Sequence, residues 1–559
     1  MRPRPPSLID RRNLLPALLV GLLLLELLLG LAWVELGGVG MGIFEIRNAR
    51  EIAGHIPGDL PGLIQRWNAH HYYPPGYDSA LALVYAVVQN DASGLLIFNW
   101  LLLCLGCWGM VDLLGRREGA IAAMLFSLLP GVSLGLHLAA REYALTCLMP
   151  CLLAALYHSD GLLRLRRTLL AALWFCLAMY AKWTFAAQAL IPGMAFLIAG
   201  SSVRPLRLRT RLVNLCVGGA LCLALLSAWY LRGLDTQALL FASANDPSDL
   251  SLWQTLSYYL RSLVNDQLLW PAALLGLAAL PLALYSRRRM ALPALLWLIG
   301  PIVVFTPLAH CEARYIQPVV GAVALLAALA LTALPSRRVL QPLTIAALVL
   351  LGLYGVTLDK FQRPMLLRDS GTRVQVNGLS CFGLAREYVD WLDQTLPRYG
   401  VEGAPARAML HPLSANDVLL GPEIVGYELL RQRRRASGPW SVELMTHERL
   451  GEFICDLGSY DLLLIPDQLA QATLDTQRSM ARGWLSEQDP ALEELIDWSD
   501  PALLGSIERQ MRPVARFTSY CAAGGNRGSG ITLYQRKIPG EPPAPQCALG
   551  LLSESPTLY

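Results

Sequence analysis

Charge is what this sequence has least of. Only 16% of its 559 residues are Asp, Glu, Lys or Arg, against roughly a quarter in soluble domains. Lysine is nearly missing: Lys182, Lys360 and Lys537 stand beside 43 arginines. So little charge, with 54% apolar residues, excludes intrinsic disorder and an ordinary soluble enzyme. No collagen period is present, and 12 cysteines in a chain this long exclude a small disulfide scaffold. Metal-ligand spacing is absent as well. Cys104 and Cys107 form a CxxC, but inside an apolar run where thiols pack as small hydrophobes.

What is there is long apolar runs, unevenly charged. Residues 1–358 hold 26 Lys+Arg against 17 Asp+Glu, and residues 359–559 hold 20 against 25, so two physically different regions are expected, divided near 358/359. Leu14 to Leu36, 23 residues, is long enough for a ~30 Å hydrocarbon layer and longer than a secretory signal, with no small-residue cleavage site after it. A polytopic α-helical membrane protein follows, its net charge of +4 reporting topology rather than nucleic-acid binding. Arginine clusters at 2–12, 116–117, 164–167, 204–211, 287–289 and 337–338 are separated, from Arg116 onward, by two apolar segments each. All can lie in the cytoplasm if residues 37–115 make one net crossing, the stretch Gly76 to Asn90 being short enough to sit partly in the membrane or at its face. About 11 crossings result, with a cytoplasmic N-terminus, in a cell inner membrane.

Residues 359–559 lose the long apolar runs. Strand-like pieces at 406–410, 460–466 and 530–537 and helical patterns at 384–396 and 447–457 predict an α/β domain, which the last crossing delivers to the extracytoplasmic side. There Cys381, Cys455, Cys521 and Cys547 could form two disulfides in any of three pairings.

The same topology collects polar chemistry on the outer face. The first outer loop carries Glu45, Glu51, Asp59 and Asp78, Arg47, Arg50 and Arg66, and His70 and His71. Arg141, Glu142 and Tyr143 open one later segment, Lys182 and Trp183 sit in a turn, and Glu312, Arg314 and Tyr315 precede another helix. Singly, each has a bland explanation as a solvated surface helix, a snorkelling cation or an interfacial aromatic. Jointly they suit a lipid-linked phosphate: Arg offers a planar fork, Lys a compact charge, and a carboxylate among them can serve as general base. Those are the requirements for transferring a sugar from a polyprenyl phosphate to an acceptor hydroxyl. Glu26, mid-way along an apolar helix where a charge is costly, is read as a structural residue.

The order of FEIRNA, YYPPGY, REYAL, AKWTF and ARYIQP over residues 10 to about 358 resembles the GT-C superfamily of membrane glycosyltransferases. The likeness is greatest to bacterial relatives of the dolichyl-phosphate-mannose protein mannosyltransferases and the lipid A aminoarabinose transferases. It implies a GT-C-like fold and inverting transfer from a polyprenyl-phosphate-linked sugar to a glycan, lipid or protein acceptor. An acid of the first outer loop acts as base in that superfamily, within a pattern like Asp-Glu-x-Arg-Tyr-Ala. Here the matching residues are Phe44, Glu45, Ile46, Arg47, Asn48 and Ala49. Phe44 replaces the first acid, Glu45 becomes the implied base, and Arg47 falls on the pattern's arginine. A base displaced by one helical position turns by ~100°.

By the same resemblance His71 and Tyr72 stand at the mouth of the pocket before the Pro74–Pro75 turn. Arg141, Glu142 and Tyr143 line the second outer loop, and Lys182, Arg314 and Tyr315 face carrier phosphate. Some members use a divalent metal and others none; no cofactor or metal is expected here. Two alternatives stay open. A transporter or flippase for a lipid-linked substrate would need a repeat and a polar pathway at mid-membrane depth, and neither is seen. A catalytically inactive relative is the other.

Overall fold

A computed structural model describes residues 14–35, 43–56, 58–69, 73–88, 90–137, 139–201, 207–231, 251–307, 313–333, 340–361, 384–399, 406–410, 440–444, 462–466, 511–518 and 530–537. The chain divides into two units. One comprises Met1–Glu35, Phe44–Lys360 and Arg368–Gly371, and the other Leu36–Ile43, Phe361–Leu367 and Thr372–Tyr559.

The first unit is helical. Its helices are α1 (Leu14–Glu35), α2 (Ile43–Gly54), α3 (Leu60–Ala69), α4 (Gly76–Val87), α5 (Asp91–Leu114), α6 (Arg116–Ser127) and α7 (Pro130–Gly135). There follow α8 (Arg141–His158), α9 (Leu165–Ala181), α10 (Phe185–Gly200), α11 (Leu208–Tyr230) and α12 (Leu252–Ser262). A π-helical turn (Leu263–Leu268) leads into α13 (Leu269–Phe305), and a 3-10 helix (Ala313–Val319) into α14 (Val320–Ala333), before α15 (Leu340–Phe361). Among the described residues, five helical stretches are long and apolar enough to cross a membrane: Leu14–Ala32, Ala92–Leu114, Leu208–Ser227, Pro271–Phe305 and Arg314–Ala333. The longest helix, α13, is two joined at a kink. Arg287 leaves helical geometry at φ −137°, ψ 38°, within the basic cluster 287–289.

Apolar pattern sets depth. In α14 every residue from Val320 to Leu331 is buried, as expected of a helix that is hydrophobic all round. By contrast α11, also rich in leucine, leaves Leu208, Leu212, Leu215 and Leu223 exposed, a face suited to hydrocarbon rather than water. Trp297 of α13 is fully buried, and its indole N–H donates to the carbonyl of Pro318 at 3.0 Å, satisfying the one polar atom of that side chain. Small residues permit the closest helix contacts. A Cβ on Gly109 of α5 would lie 2.6 Å from the backbone nitrogen of Cys151 in α8.

Several arginine clusters meet at one end of this bundle. Arg167 grips Asp112 with both Nη atoms at 2.6 and 3.1 Å, His158 Nε2 lies 2.7 Å from the Asp112 carbonyl, and Arg287 reaches Glu118 at 3.0 Å. Arg289 caps α10 by donating to the Ala199 carbonyl at 2.9 Å, neutralising a helix C-terminus. The functional candidates lie at the opposite ends of α8 and α9. α4, between α3 and α5, has 12 residues, ~18 Å of helix, and is too short to cross.

The second unit contains a five-stranded sheet of order β2-β1-β3-β5-β4, with β1 at Ala406–Leu410, β2 at Trp440–Leu444, β3 at Leu462–Pro466, β4 at Met511–Thr518 and β5 at Gly530–Arg536. β1 pairs parallel with β2 and β3, whereas β5 runs antiparallel to β3 and β4. Strands at 406–410, 462–466 and 530–536 fall where the sequence places them. Pro513 sits at an irregularity in the edge strand β4, one of the few sheet positions that tolerates a missing N–H. Helix α16 (Leu384–Tyr399) buries Leu392 and Leu396, and its Tyr399 hydroxyl donates to the Val514 carbonyl at 3.0 Å. The four cysteines of this unit and the helical pattern at 447–457 lie outside the described residues.

The Gly109 contact generates a test. Gly109→Ala places a methyl against main chain that cannot yield, and overpacking of this kind costs about 1–3 kcal/mol. The detergent-solubilised variant should unfold several degrees below the wild type in a thermal melt.

Candidate functional site

Five chain segments bring charged side chains together at one end of the bundle. Glu45 is in the first turn of α2 and Asp78 in the first turn of α4, and Arg141 and Glu142 open α8. Acids suit helix N-termini, where the backbone dipole favours negative charge. Lys182 ends α9 in an extended conformation, φ −160°, ψ 134°, the helix end that favours a cation. Arg314 comes from the 3-10 helix. Gly76 locks two of these segments together: a Cβ there would lie 2.6 Å from Tyr180 Cβ and 2.8 Å from its carbonyl oxygen. Only glycine allows the start of α4, two residues before Asp78, to meet the end of α9, two residues before Lys182.

The charges sort into two groups. In the first, Arg141 spreads its planar fork over two acids: Nη1 donates to Glu45 Oε1 at 2.8 Å, and Nη2 to Asp78 Oδ2 and Oδ1 at 2.9 and 3.1 Å. Asn48 Nδ2 also reaches Asp78 Oδ2 at 3.4 Å. In the second, Glu142 Oε1 accepts from Lys182 Nζ at 2.5 Å and forms an ion pair with Arg314 Nε at 3.2 Å. One group therefore holds two carboxylates and one cation, the other two cations and one carboxylate. Tyr73 bridges them, its ring centroid 4.3 Å from the Arg141 guanidinium carbon and 5.3 Å from Lys182 Nζ. The Tyr315 ring faces Lys182 at 5.0 Å.

Burial grades across the site. Asp78, Arg141, Glu142 and Lys182 are nearly inaccessible, Glu45 keeps 16% of its side chain exposed and Arg314 51%. Ions this deep are costly unless paired. Burial pushes the Asp78 carboxyl up to about 6, and neighbouring Glu45 adds to the rise; the Arg141 guanidinium opposes both.

Of the residues singled out from sequence, Glu45, Arg141, Glu142, Lys182, Arg314 and Tyr315 are brought together. Tyr143 is elsewhere: it is fully buried, its ring packed on Gly135 in the helix core, because successive residues on a helix diverge by ~100°. Arg47 falls in α2 with its side chain outside the description, and His71 and Tyr72 lie outside the described residues altogether. Glu26 is buried in α1. Asp78 and Tyr73 complete the cluster without having been singled out as site residues. Asp78 carried one usable signal, an acid just after a Pro-Pro-Gly helix start. Among the described residues no group of three or more His, Cys, Asp or Glu side chains is arranged to hold a metal ion.

The fold that carries this arrangement has counterparts among solved structures. The chain is similar to the crystal structure of ArnT from Cupriavidus metallidurans in the apo state, with a TM-score of 0.55 and 13% identity over 94% of this chain and 98% of ArnT. It is similar also to the same protein bound to undecaprenyl phosphate, with a TM-score of 0.52 and 13% identity over 93% and 97% of the two chains. At this identity the likeness establishes the fold alone. No protein-family profile and no curated protein sequence matches the chain.

The raised Asp78 pKa predicts a pH effect. The folded chain holds this proton more tightly than the unfolded chain, whose reference value is 3.8. The stabilisation is therefore complete below 3.8 and lost as pH rises through about 6, a swing on the order of 3 kcal/mol. Thermal melts of Asp78→Asn between pH 4 and pH 7 should lose this component of the wild-type pH dependence.

Proposed function

We propose that this chain is an integral-membrane inverting glycosyltransferase that moves a sugar from a polyprenyl-phosphate carrier to an extracytoplasmic acceptor. The observation that carries the reading is the pairing of two cations, Lys182 and Arg314, on the single carboxylate of Glu142. That group has one positive charge left over, and Arg314 opens it to the surroundings. An ammonium has three donors and a guanidinium five, so donors remain for phosphate oxygens while Glu142 holds both cations in place. ArnT, whose fold this chain shares, has been solved with undecaprenyl phosphate bound, which supports a carrier of that chemistry.

Glu45 takes the part of general base. Arg141 holds its Oε1, leaving Oε2 without a hydrogen bond among the described residues. Oε2 accepts the proton of an acceptor hydroxyl as that oxygen attacks the anomeric carbon. The bond from that carbon to the phosphate oxygen breaks, and its electron pair leaves with the carrier phosphate. Lys182 and Arg314 stabilise the charge that develops there. Attack opposite the leaving phosphate inverts the anomeric centre. Asp78 and Arg141 keep Glu45 oriented, and Tyr315 lies beside the phosphate.

The full topology belongs to the same proposal. It has about 11 crossings and a cytoplasmic N-terminus in a cell inner membrane, with residues 1–358 forming the membrane domain and residues 359–559 an extracytoplasmic α/β domain. Phosphate and acceptor then meet at the outer edge of the bilayer, and the carrier arrives laterally.

Glu45→Gln should insert and purify normally and lose at least ~100-fold of the transfer rate. A lipid-extract assay with a polyprenyl-phosphate sugar reads the loss, and full retained transfer rejects Glu45 as base. Mass spectrometry of envelope glycans and glycoproteins from a deletion strain, beside the complemented strain, identifies product and acceptor together.

A further inference from the structure

Tyr73 is the one side chain with ring contacts to cations of both groups among those described, at 4.3 Å to Arg141 and 5.3 Å to Lys182. Its place follows from sequence: it precedes Pro74–Pro75, and Gly76 pins the next helix to Tyr180. Both cations face one ring, so the two charge groups and their carboxylates are neighbours. Arg141 could turn to Glu142, and Lys182 to Asp78 or Glu45. Either exchange would abolish the imbalance of one spare negative and one spare positive charge.

An aromatic face prevents this in a way few groups can. It attracts a cation through its quadrupole but neither neutralises the charge nor takes up a proton. A carboxylate in its place would quench Lys182, and water would screen it.

We propose that Tyr73 is a positioning residue whose ring holds Arg141 to Glu45 and Asp78, and Lys182 to Glu142, keeping the two charge groups apart. The naming of those groups as base side and phosphate side rests on the function proposed above; the partition itself does not. The ring face does the work, so phenylalanine should replace tyrosine.

Lys182 reports on the partition directly, because the chain has only two other lysines, Lys360 and Lys537, to serve as internal references. The full-length protein in detergent is exposed to limiting acetic anhydride, and acetylation at the three sites is quantified by mass spectrometry. Tyr73→Phe should leave Lys182 at the wild-type relative rate, whereas Tyr73→Leu, which fills the site without a π face, should raise it about tenfold. Lys182 labelling at the wild-type rate in Tyr73→Leu, or as fast in Tyr73→Phe as in Tyr73→Leu, overturns the proposal. Should Tyr73→Leu fail to fold, Tyr73→Phe and Tyr73→Trp carry the test, and accelerated labelling in either overturns it. No sugar or carrier enters this assay, so its outcome is separate from that of the transfer reaction.

Discussion

The arrangement turns on one buried guanidinium. Arg141 satisfies two carboxylates, Glu45 and Asp78, that arrive from separate helices. Two acids so close would otherwise repel one another and drive one to take up a proton. A planar fork with donors on both branches is the side chain that can serve them together, and a point-charge lysine would have to choose. α2 and α4 are short helices that bury apolar side chains of their own, Ile46 and Ile52 in one and Leu81 and Tyr85 in the other. The ion group adds a link from both to the start of α8.

Around it, close packing sets the frame. The all-apolar α14 and the glycine contact of α5 with α8 make a rigid bundle, and the arginines at the far end tie helix termini together through Asp112, Glu118 and the Ala199 carbonyl. Rigid helices fix the starting points of α8 and the end of α9. Short segments then supply the remaining charges: α2 with Glu45, the first turn of α4 with Asp78, and the 3-10 helix bearing Arg314. The exposure of Arg314 beside the burial of Glu142 gives the group an open side without loosening its interior.

Much of this was legible in the chain. Apolar runs located the long helices, and arginine spacing distinguished their two ends. Three of the five described strands stood out as short strand-like pieces once the long apolar runs ended. The cations and acids of the cluster were identifiable because most sit at an apolar segment's edge, where charge is unexpected without a reason. Tyr143, implied by the family resemblance, faces the helix core instead, since a helix sends consecutive side chains to different sides. Asp78 and Tyr73 were hidden for the opposite reason. Each is an ordinary turn or helix-start residue by local chemistry, and its partners, Arg141 and Lys182, lie 63 and more than 100 positions away. No local pattern encodes a contact of that range. The kink at Arg287, by contrast, falls in the basic cluster 287–289 that already separates two apolar segments in the sequence.

One feature of α8 reaches further than its own contacts. Its first two residues, Arg141 and Glu142, belong to opposite halves of the ion cluster, so a single helical turn anchors both. Any tilt or rotation of that turn shifts both halves together and preserves the spacing between them. Changes to one half through evolution or redesign are thereby channelled to the neighbouring loops and to the 3-10 segment, which can vary one half while leaving its counterpart undisturbed.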